Sequence, residues 1–161
     1  MITQQRLKEL FRYDCGNLYR YKCLNHLHIN KPCGSKHHSG YFHIGIDRKI
    51  YTLHRMIFLF HNGFLPKEID HINGNKGDNR IANLRGCNRS ENMTNSRVAS
   101  NNTSGVKGVG WHKAAGKWQA RVYINKVRQT LGVYDNLLDA ACVIYSARNK
   151  HHGEFANYGR Y

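Results

Sequence analysis

Residues 68–85 have the sequence EIDHINGNKGDNRIANLR. This stretch is dense in side chains that bind metals or transfer protons, and it determines the local fold. Short segments at 69–72 and 83–85 flank a loop of Asn, Gly and Asp, the residue types that favour turns. We therefore predict a strand, a loop, a returning strand and then a helix capped by Ser90. That order of elements would bring four polar residues to one spot: Asp70, His71, Asn83 and Asn92. The same composition is also typical of a polar hairpin loop with no site, so the pattern alone leaves both interpretations open.

The charge of the chain indicates a polyanionic partner. Its 161 residues include 25 Lys and Arg against 10 Asp and Glu, a formal net charge of +15. The basic excess is nine before residue 100 and six after it, so both halves are cationic and each is expected to contact phosphate. With 40% hydrophobic residues the chain can build a core, which excludes a disordered basic tail. No apolar run is long enough for a membrane span or a signal peptide, so we expect a cytoplasmic protein without a membrane partner.

Hydrophobic patterning before residue 96 predicts small mixed elements. Thr3 can cap a short helix that ends near Phe11, and a strand follows at 18–21. Residues 41–46 and 50–54 form a hairpin around a turn at 47–49. The nearly apolar stretch 55–61 ends at Asn62-Gly63 and indicates a short buried helix with a glycine stop.

A polar stretch at 96–105 separates a second unit. We place the boundary near residue 99, with the strand–loop–strand–helix segment at about 66–97 inside a domain 1–99 and a second domain at 100–161. KWQARVYI at 117–124 alternates strictly, with Trp118, Ala120, Val122 and Ile124 on the core face. Strands around 106–111 and 127–133 complete a three-stranded antiparallel sheet, in which Val127, Leu131 and Val133 continue the apolar face. A helix capped at Asn136 covers the sheet to about Lys150, so the fold class is α+β.

Several pieces of the first unit resemble one known family, the HNH nucleases with a ββα-metal finger, and more closely the phage homing-endonuclease type. The matching text is His54-Arg55-Met56, Ile69-Asp70-His71-Ile72-Asn73-Gly74, Asp78-Asn79-Arg80, Asn83-Leu84-Arg85 and Ser90-Glu91-Asn92. The resemblance implies that Asp70 and Asn92 bind one divalent cation and that His71 is the general base. It also implies that Asn83 braces the finger, while His54 and Arg55 either contact a DNA phosphate or support the fold.

The chemistry of phosphodiester hydrolysis explains why these residue types are needed. A neutral imidazole can take a proton from the attacking water near pH 7, and a bound cation can stabilise charge on the phosphate and the leaving oxygen. Asn92 stands where many members have His, so the donors are oxygens and favour Mg²⁺, with Mn²⁺ as the other option. Zinc held by Cys15, Cys23 and Cys33 with a nearby His stays open as an alternative, although the odd number of cysteines favours reduced thiols.

The second unit resembles the AP2 DNA-binding domain. The shared text is Ser104-Gly105-Val106-Lys107-Gly108-Val109, Gly116-Lys117-Trp118-Gln119-Ala120, Leu131-Gly132, Asp139-Ala140-Ala141 and His152-Gly153-Glu154-Phe155-Ala156. The resemblance implies that the wet face of the sheet contacts DNA through Lys107, His112, Lys117, Arg121, Tyr123, Arg128 and Thr130. Arg121 and Arg128 suit guanine edges, whereas Lys107 and Lys117 suit phosphate. Gly110 and Thr130 depart from the plant pattern, so the plant recognition sequence does not transfer.

Together these observations favour a site-specific, metal-dependent DNA endonuclease of the homing type, encoded by a phage and acting in a bacterial cytoplasm. Double-stranded DNA is the expected partner, and no small-molecule cofactor is expected. A single base and a single cation site favour a monomer that nicks one strand, with a dimer as the alternative. Two rivals remain at this point: a non-catalytic DNA-binding regulator that uses the AP2-like sheet, and a protein that binds structured RNA.

Overall fold

The computed structural model describes residues 2–22, 30–96 and 98–158. Its contacts divide the chain into two units, Met1–Asn88 and Arg89–Tyr161. The division falls before the helix that the predicted finger includes, about ten residues earlier than the boundary expected from composition. Where the functional domains divide stays a prediction.

The first unit is a set of small antiparallel sheets with two helices. Its elements are α1 (Gln4–Leu10), β1 (Phe11–Asp14), β2 (Asn17–Arg20), β3 (Ser35–Lys36), β4 (Phe42–Ile46), β5 (Lys49–Thr52), α2 (Leu53–Asn62), β6 (Glu68–His71) and β7 (Leu84–Cys87). Strand β1 pairs with β2, β4 lies between β3 and β5, and β6 pairs with β7. The α+β class predicted from the sequence is confirmed.

Local chemistry accounts for the boundaries of these elements. Thr3 caps α1 as predicted, because its hydroxyl accepts a hydrogen bond from the Arg6 amide. The β4–β5 turn at Asp47-Arg48 has positive φ at both residues, the geometry of a tight hairpin. The predicted helix at 55–61 is longer, Leu53–Asn62, and it ends at Gly63 in the left-handed conformation.

The core of this unit surrounds α2. Its apolar face, with Leu53, Met56 and Ile57 almost fully buried, packs with Leu7, Phe11, Leu18, Ile44 and Ile46. Because α2 is buried along much of its length, the first turn of the helix is fixed in place. That turn carries His54, one of the candidate site residues.

The second unit contains α3 (Arg89–Asn95), β8 (Val109–His112), β9 (Lys117–Ile124), β10 (Val127–Tyr134) and α4 (Leu137–His152). The three strands form one antiparallel sheet in the order β10-β9-β8. Val109, Ala120 and Val122 pack with Ala140 and Ile144 of α4. Asn136 caps α4 through the Asp139 amide, as predicted.

Three expectations about these elements are wrong in detail. Val133 is exposed rather than inward-facing, because the β9–β10 register shifts between Thr130 and Gly132 and so reverses the alternation. Val127, at the first position of β10, is exposed as well. The prediction also missed β1, which pairs with β2. Helix α3 begins at Arg89, so Ser90 lies within its first turn instead of preceding it.

No helix in the described part of the chain is both long and apolar enough to span a membrane.

The end of α2 gives a test of the fold. Gly63 has φ of 76°, and a Cβ there would lie 3.2 Å from Oε1 of Gln4, whose Nε2 atom donates to the Phe60 carbonyl. Gly63→Ala should therefore lower the free energy of unfolding by about 1 kcal/mol. Gly45→Ala is the control, since Gly45 lies in β4 with nothing within 4 Å of the added Cβ. Urea titration measures the free energy of unfolding of the two variants, and hydrogen exchange of the α2 amides shows where stability is lost. Equal stability of Gly63→Ala and Gly45→Ala would contradict this role of Gly63.

Candidate active site

Strands β6 and β7 place an aspartate and an arginine directly opposite each other. Asp70 pairs with Arg85 in the register of the ladder. The Arg85 Nε and Nη2 atoms both donate to Oδ2 of Asp70, at 3.1 and 2.8 Å, and both side chains are largely buried. A two-point contact of this kind fixes the orientation of the carboxylate. Asp70 is thus held in one geometry before any ligand binds.

His71 follows Asp70 at the end of β6 and is 4% exposed. Its Nε2 atom lies 3.1 Å from Oδ1 of Asn79, which is equally buried. An amide oxygen only accepts hydrogen bonds, so Nε2 carries the proton and Nδ1 keeps its lone pair. Burial lowers the pKa of His71, and this effect outweighs the opposing effects of the hydrogen bond to Asn79 and the nearby Asp70 charge. The arrangement produces a neutral imidazole with its Nδ1 atom as the basic nitrogen.

The loop that carries Asn79 is closed by Asn83. Oδ1 of Asn83 accepts from the Asn73 amide at 3.0 Å, and its Nδ2 atom donates to the Asp78 carbonyl at 2.8 Å. The Asn83 carbonyl also accepts from the Ile72 amide. These bonds tie both ends of the loop together, which is the geometry that the predicted bracing role of Asn83 requires.

One contact within the loop and two contacts with the β1–β2 hairpin also hold it in place. Arg80 makes a two-point salt bridge to Asp78, which lowers the pKa of that carboxyl to about 2. The Tyr13 hydroxyl accepts from the Ile81 amide at 3.0 Å. At Gly16 a Cβ would lie only 2.8 Å from the Arg80 amide nitrogen, so the β1–β2 turn packs closely under the loop. The first hairpin therefore supports the segment that presents Asn79.

His54 and Tyr41 form an aromatic cluster with His71. The His54 ring lies 5.1 Å from the His71 ring, edge-on, and 5.1 Å from the Tyr41 ring. Burial lowers the pKa of His54 to about 3, with the neighbouring His71 as a smaller cause, so the ring is uncharged at neutral pH. Within the described residues nothing hydrogen-bonds to its buried Nδ1 atom. His54 therefore lies directly beside His71, and any contact it makes to DNA is a neutral one.

Tyr41 and Arg55 attach neighbouring segments to the site. The Lys76 ammonium lies 4.5 Å above the Tyr41 ring and donates to the Ser39 carbonyl at 3.0 Å, which joins the segment before β4 to the finger loop. Arg55 donates to the carbonyls of Pro66 and Lys67 and so supports the entry into β6. The predicted phosphate contacts of His54 and Arg55 stay predictions.

Asn92, the other predicted cation ligand, lies on α3 and is half-buried. It belongs to the unit Arg89–Tyr161, whereas Asp70, His71 and Asn83 belong to Met1–Asn88. Among the described residues, no group of three or more His, Cys, Asp and Glu side chains could hold a metal ion. The predicted site differs from such groups, because it consists of the Asp70 carboxylate and the Asn92 amide. Oxygen donors of this kind suit Mg²⁺. The zinc alternative needs Cys23, which lies outside the described residues.

Four of the predicted DNA contacts lie together on one face of the second sheet. Arg121 is directly opposite Thr130, and Tyr123 is directly opposite Arg128. Tyr123 is 61% exposed, and Arg128 and Thr130 are exposed as well. The guanidinium of Arg121 lies beside Gly110, where a Cβ would be 3.7 Å from Nη2.

Two more predicted contacts, His112 and Lys117, share this face nearer the β8–β9 turn, whereas Lys107 lies before β8. His112 and Lys117 pair across the β8–β9 turn, where Lys117 makes a salt bridge to Asp135 and His112 accepts from the Ala115 amide. Lys107 is half-buried, and its ammonium donates to the Thr94 carbonyl at 2.7 Å. Its role as a phosphate contact stays a prediction, but its charge is directed toward the end of α3.

The sequence contained a signal for one site residue that we did not assign. Asn79 lies within Asp78-Asn79-Arg80, which is part of the text that resembles the finger. The structure adds that Asn79 is buried against His71. Tyr41 gave no such signal, because only the packing of the segment before β4 brings it to His54.

Comparison with known proteins identifies the region that contains this site. Residues 51–94 match the HNH endonuclease family. The chain is also 36% identical over 99 residues to Protein 3.8 of Escherichia phage T7, a match that covers 60% of this chain and 81% of that protein. No solved structure matches the chain significantly.

The hydrogen bond between His71 and Asn79 predicts a tautomer that can be observed. Two-dimensional ¹H–¹⁵N NMR at pH 7 should show His71 protonated at Nε2. Asn79→Ala should reduce that preference, since Nε2 then loses its acceptor, whereas Asn75→Ala is a loop control that leaves His71 unchanged. An Nδ1-protonated His71 in the wild-type protein would contradict the assignment.

Proposed function

The chain belongs to the protein family of phage T7 Protein 3.8 and carries an HNH endonuclease domain at residues 51–94; from this premise we propose that it is a site-specific, metal-dependent DNA endonuclease. The observation that carries the proposal is the buried His71, whose Nε2 atom lies 3.1 Å from Oδ1 of Asn79 and whose pKa is lowered by burial. The +15 net charge supports a DNA substrate. The phage relative supports a phage origin and action in the cytoplasm of the host.

In this proposal His71 activates the nucleophile. Its Nδ1 atom takes a proton from a water molecule as the water oxygen attacks the scissile phosphorus. The bond from phosphorus to the 3′ oxygen breaks, and the products are a 5′ phosphate and a 3′ hydroxyl once that oxygen has gained a proton. Asn79 keeps the Nε2 proton in place, so the ring presents the correct nitrogen throughout.

Asp70 and Asn92 are the proposed cation ligands. Two hydrogen bonds from Arg85 to Oδ2 of Asp70 restrain this side chain, which lowers the cost of ordering it for a ligand. When bound, a divalent cation supplies electrostatic stabilisation of the negative charge on the phosphate and the leaving oxygen. Oxygen donors favour Mg²⁺, with Mn²⁺ as a substitute.

Target recognition is assigned to the AP2-like sheet. The cluster of Arg121, Tyr123, Arg128 and Thr130 presents two guanidinium groups, an exposed aromatic ring and a hydroxyl on neighbouring pairs of one sheet face. Guanidinium groups suit the guanine edge, so this cluster is the proposed source of site preference. Homing activity of the mobile-element type is part of the same proposal and rests on the resemblance of the finger.

The direct test of the mechanism is His71→Ala. The variant should cut DNA about a hundredfold or more slowly, because it lacks the general base, while DNA affinity stays within a few-fold. Single-turnover cleavage and filter binding measure the two quantities on one duplex. His61→Ala is the control, since His61 is an exposed residue at the other end of α2. Near wild-type cleavage by purified His71→Ala protein would refute the mechanism.

The rate should depend on pH through the same residue. Cleavage needs neutral His71, so the rate is lost as pH falls through the pKa of this group. Burial holds that pKa below the ordinary value of 6.5, so the acidic limb should lie below pH 6.5. A pH profile of single-turnover rates measures the limb, and a midpoint above 6.5 would contradict the assignment.

A monomer with one base should cut one strand in each encounter. On a supercoiled plasmid with a single target, open circles should accumulate before linear DNA. Linear DNA that appears without open circles would instead indicate a dimer with two active sites.

A further inference from the structure

Helix α3 is too short to be stable by itself. It has seven residues, and isolated helices shorter than about 12 to 15 residues are marginal in water. It also carries Asn92, the proposed second cation ligand. Its orientation must therefore come from contacts with other parts of the chain.

Lys107 contacts the C-terminal end of α3. Its Nζ atom donates to the carbonyls of Met93 and Thr94, at 3.5 and 2.7 Å, and to both the carbonyl and the hydroxyl oxygen of Ser96. The last carbonyls of a helix have no partner within the helix and carry partial negative charge. A lysine ammonium group at this position satisfies several of these carbonyls at once. Burial lowers the pKa of Lys107 to about 8, which agrees with an amine directed inward.

Asn157 holds the same end of the helix from another segment. Its Nδ2 atom donates to the Asn95 carbonyl at 2.7 Å, and both residues are buried. The Asn157 carbonyl in turn accepts from Nη1 of Arg148 at 2.8 Å, and Arg148 lies on α4 with only 6% of its surface exposed. The end of α3 is therefore connected to α4 through buried hydrogen bonds, which are costly to break.

We propose that Lys107 and Asn157 are positioning residues of the nuclease: they hold α3, and with it Asn92, in the orientation that cation binding requires. The inference rests on the proposed function, because it takes Asn92 as a cation ligand. In this proposal Lys107 supports α3, whereas the AP2 resemblance implies that Lys107 contacts a DNA phosphate. It also gives the C-terminal unit a part in catalysis besides target binding.

The test uses the full-length protein with Lys107→Met, Asn157→Leu and, as a control, Lys113→Met, which removes an exposed lysine from the same unit. Hydrogen exchange of the α3 amides is measured first, without DNA. Mn²⁺ affinity by calorimetry and DNA affinity by filter binding follow. Cleavage as a function of Mg²⁺ concentration completes the set.

We expect Lys107→Met and Asn157→Leu to speed exchange in α3 about tenfold and to weaken Mn²⁺ binding several-fold. DNA affinity of Lys107→Met should stay within about twofold of the control, and Lys107→Arg should restore slow exchange because a guanidinium can donate to the same carbonyls. The Mg²⁺ concentration for half-maximal cleavage should rise in both variants.

Two results would overturn the proposal. One is unchanged α3 exchange in both variants. The other is unchanged Mn²⁺ affinity together with weaker DNA binding by Lys107→Met than by Lys113→Met, which would identify Lys107 as a phosphate contact. If the wild-type protein bound Mn²⁺ without cutting DNA, the proposed function would fail, but exchange and Mn²⁺ affinity would still decide the role of Lys107 and Asn157.

Discussion

The hydrogen bond from His71 to Asn79 is the interaction on which the candidate site depends. It selects the tautomer of the imidazole, and it requires Asn79 to lie against the end of β6 although the two residues are eight positions apart. Asn83 closes the intervening loop, and the β1–β2 hairpin supports it through Tyr13 and the close approach at Gly16. Much of the first unit thus contributes to holding one amide oxygen in place, which is how a rigid scaffold preorganises a base.

Burial gives this arrangement its chemical character. His71 and His54 are both withdrawn from water, and the pKa of each is lowered, so two adjacent imidazoles remain neutral in a protein of strongly positive charge. A neutral base is what proton abstraction from water requires. The salt bridge between Asp70 and Arg85 keeps a carboxylate restrained and paired where both side chains are largely buried.

Sequence patterns predicted the elements well where local chemistry decides them. The alternation in 117–124, the Thr3 and Asn136 caps and the glycine stop at Gly63 each depend on neighbouring residues, and all are found. The predicted inward position of Val133 was wrong, because the register shift depends on how β10 pairs with β9 and the alternation within one strand does not reveal it. The contact between the Lys107 ammonium and the Thr94 carbonyl likewise depends on tertiary packing that the sequence pattern does not reveal, and the phosphate contact expected of Lys107 stays a prediction. Tyr41 and the burial of His54 are likewise products of tertiary packing.

The proposed activity is hydrolysis of DNA with a divalent cation. The most direct measurement is incubation of supercoiled DNA with purified protein in Mg²⁺ or in EDTA, followed by mapping of the cut ends. The account predicts cuts at defined positions with 5′ phosphate and 3′ hydroxyl ends in Mg²⁺, and intact DNA in EDTA. Cutting that is undiminished in EDTA, or DNA that is bound but stays intact in both Mg²⁺ and Mn²⁺, would contradict it.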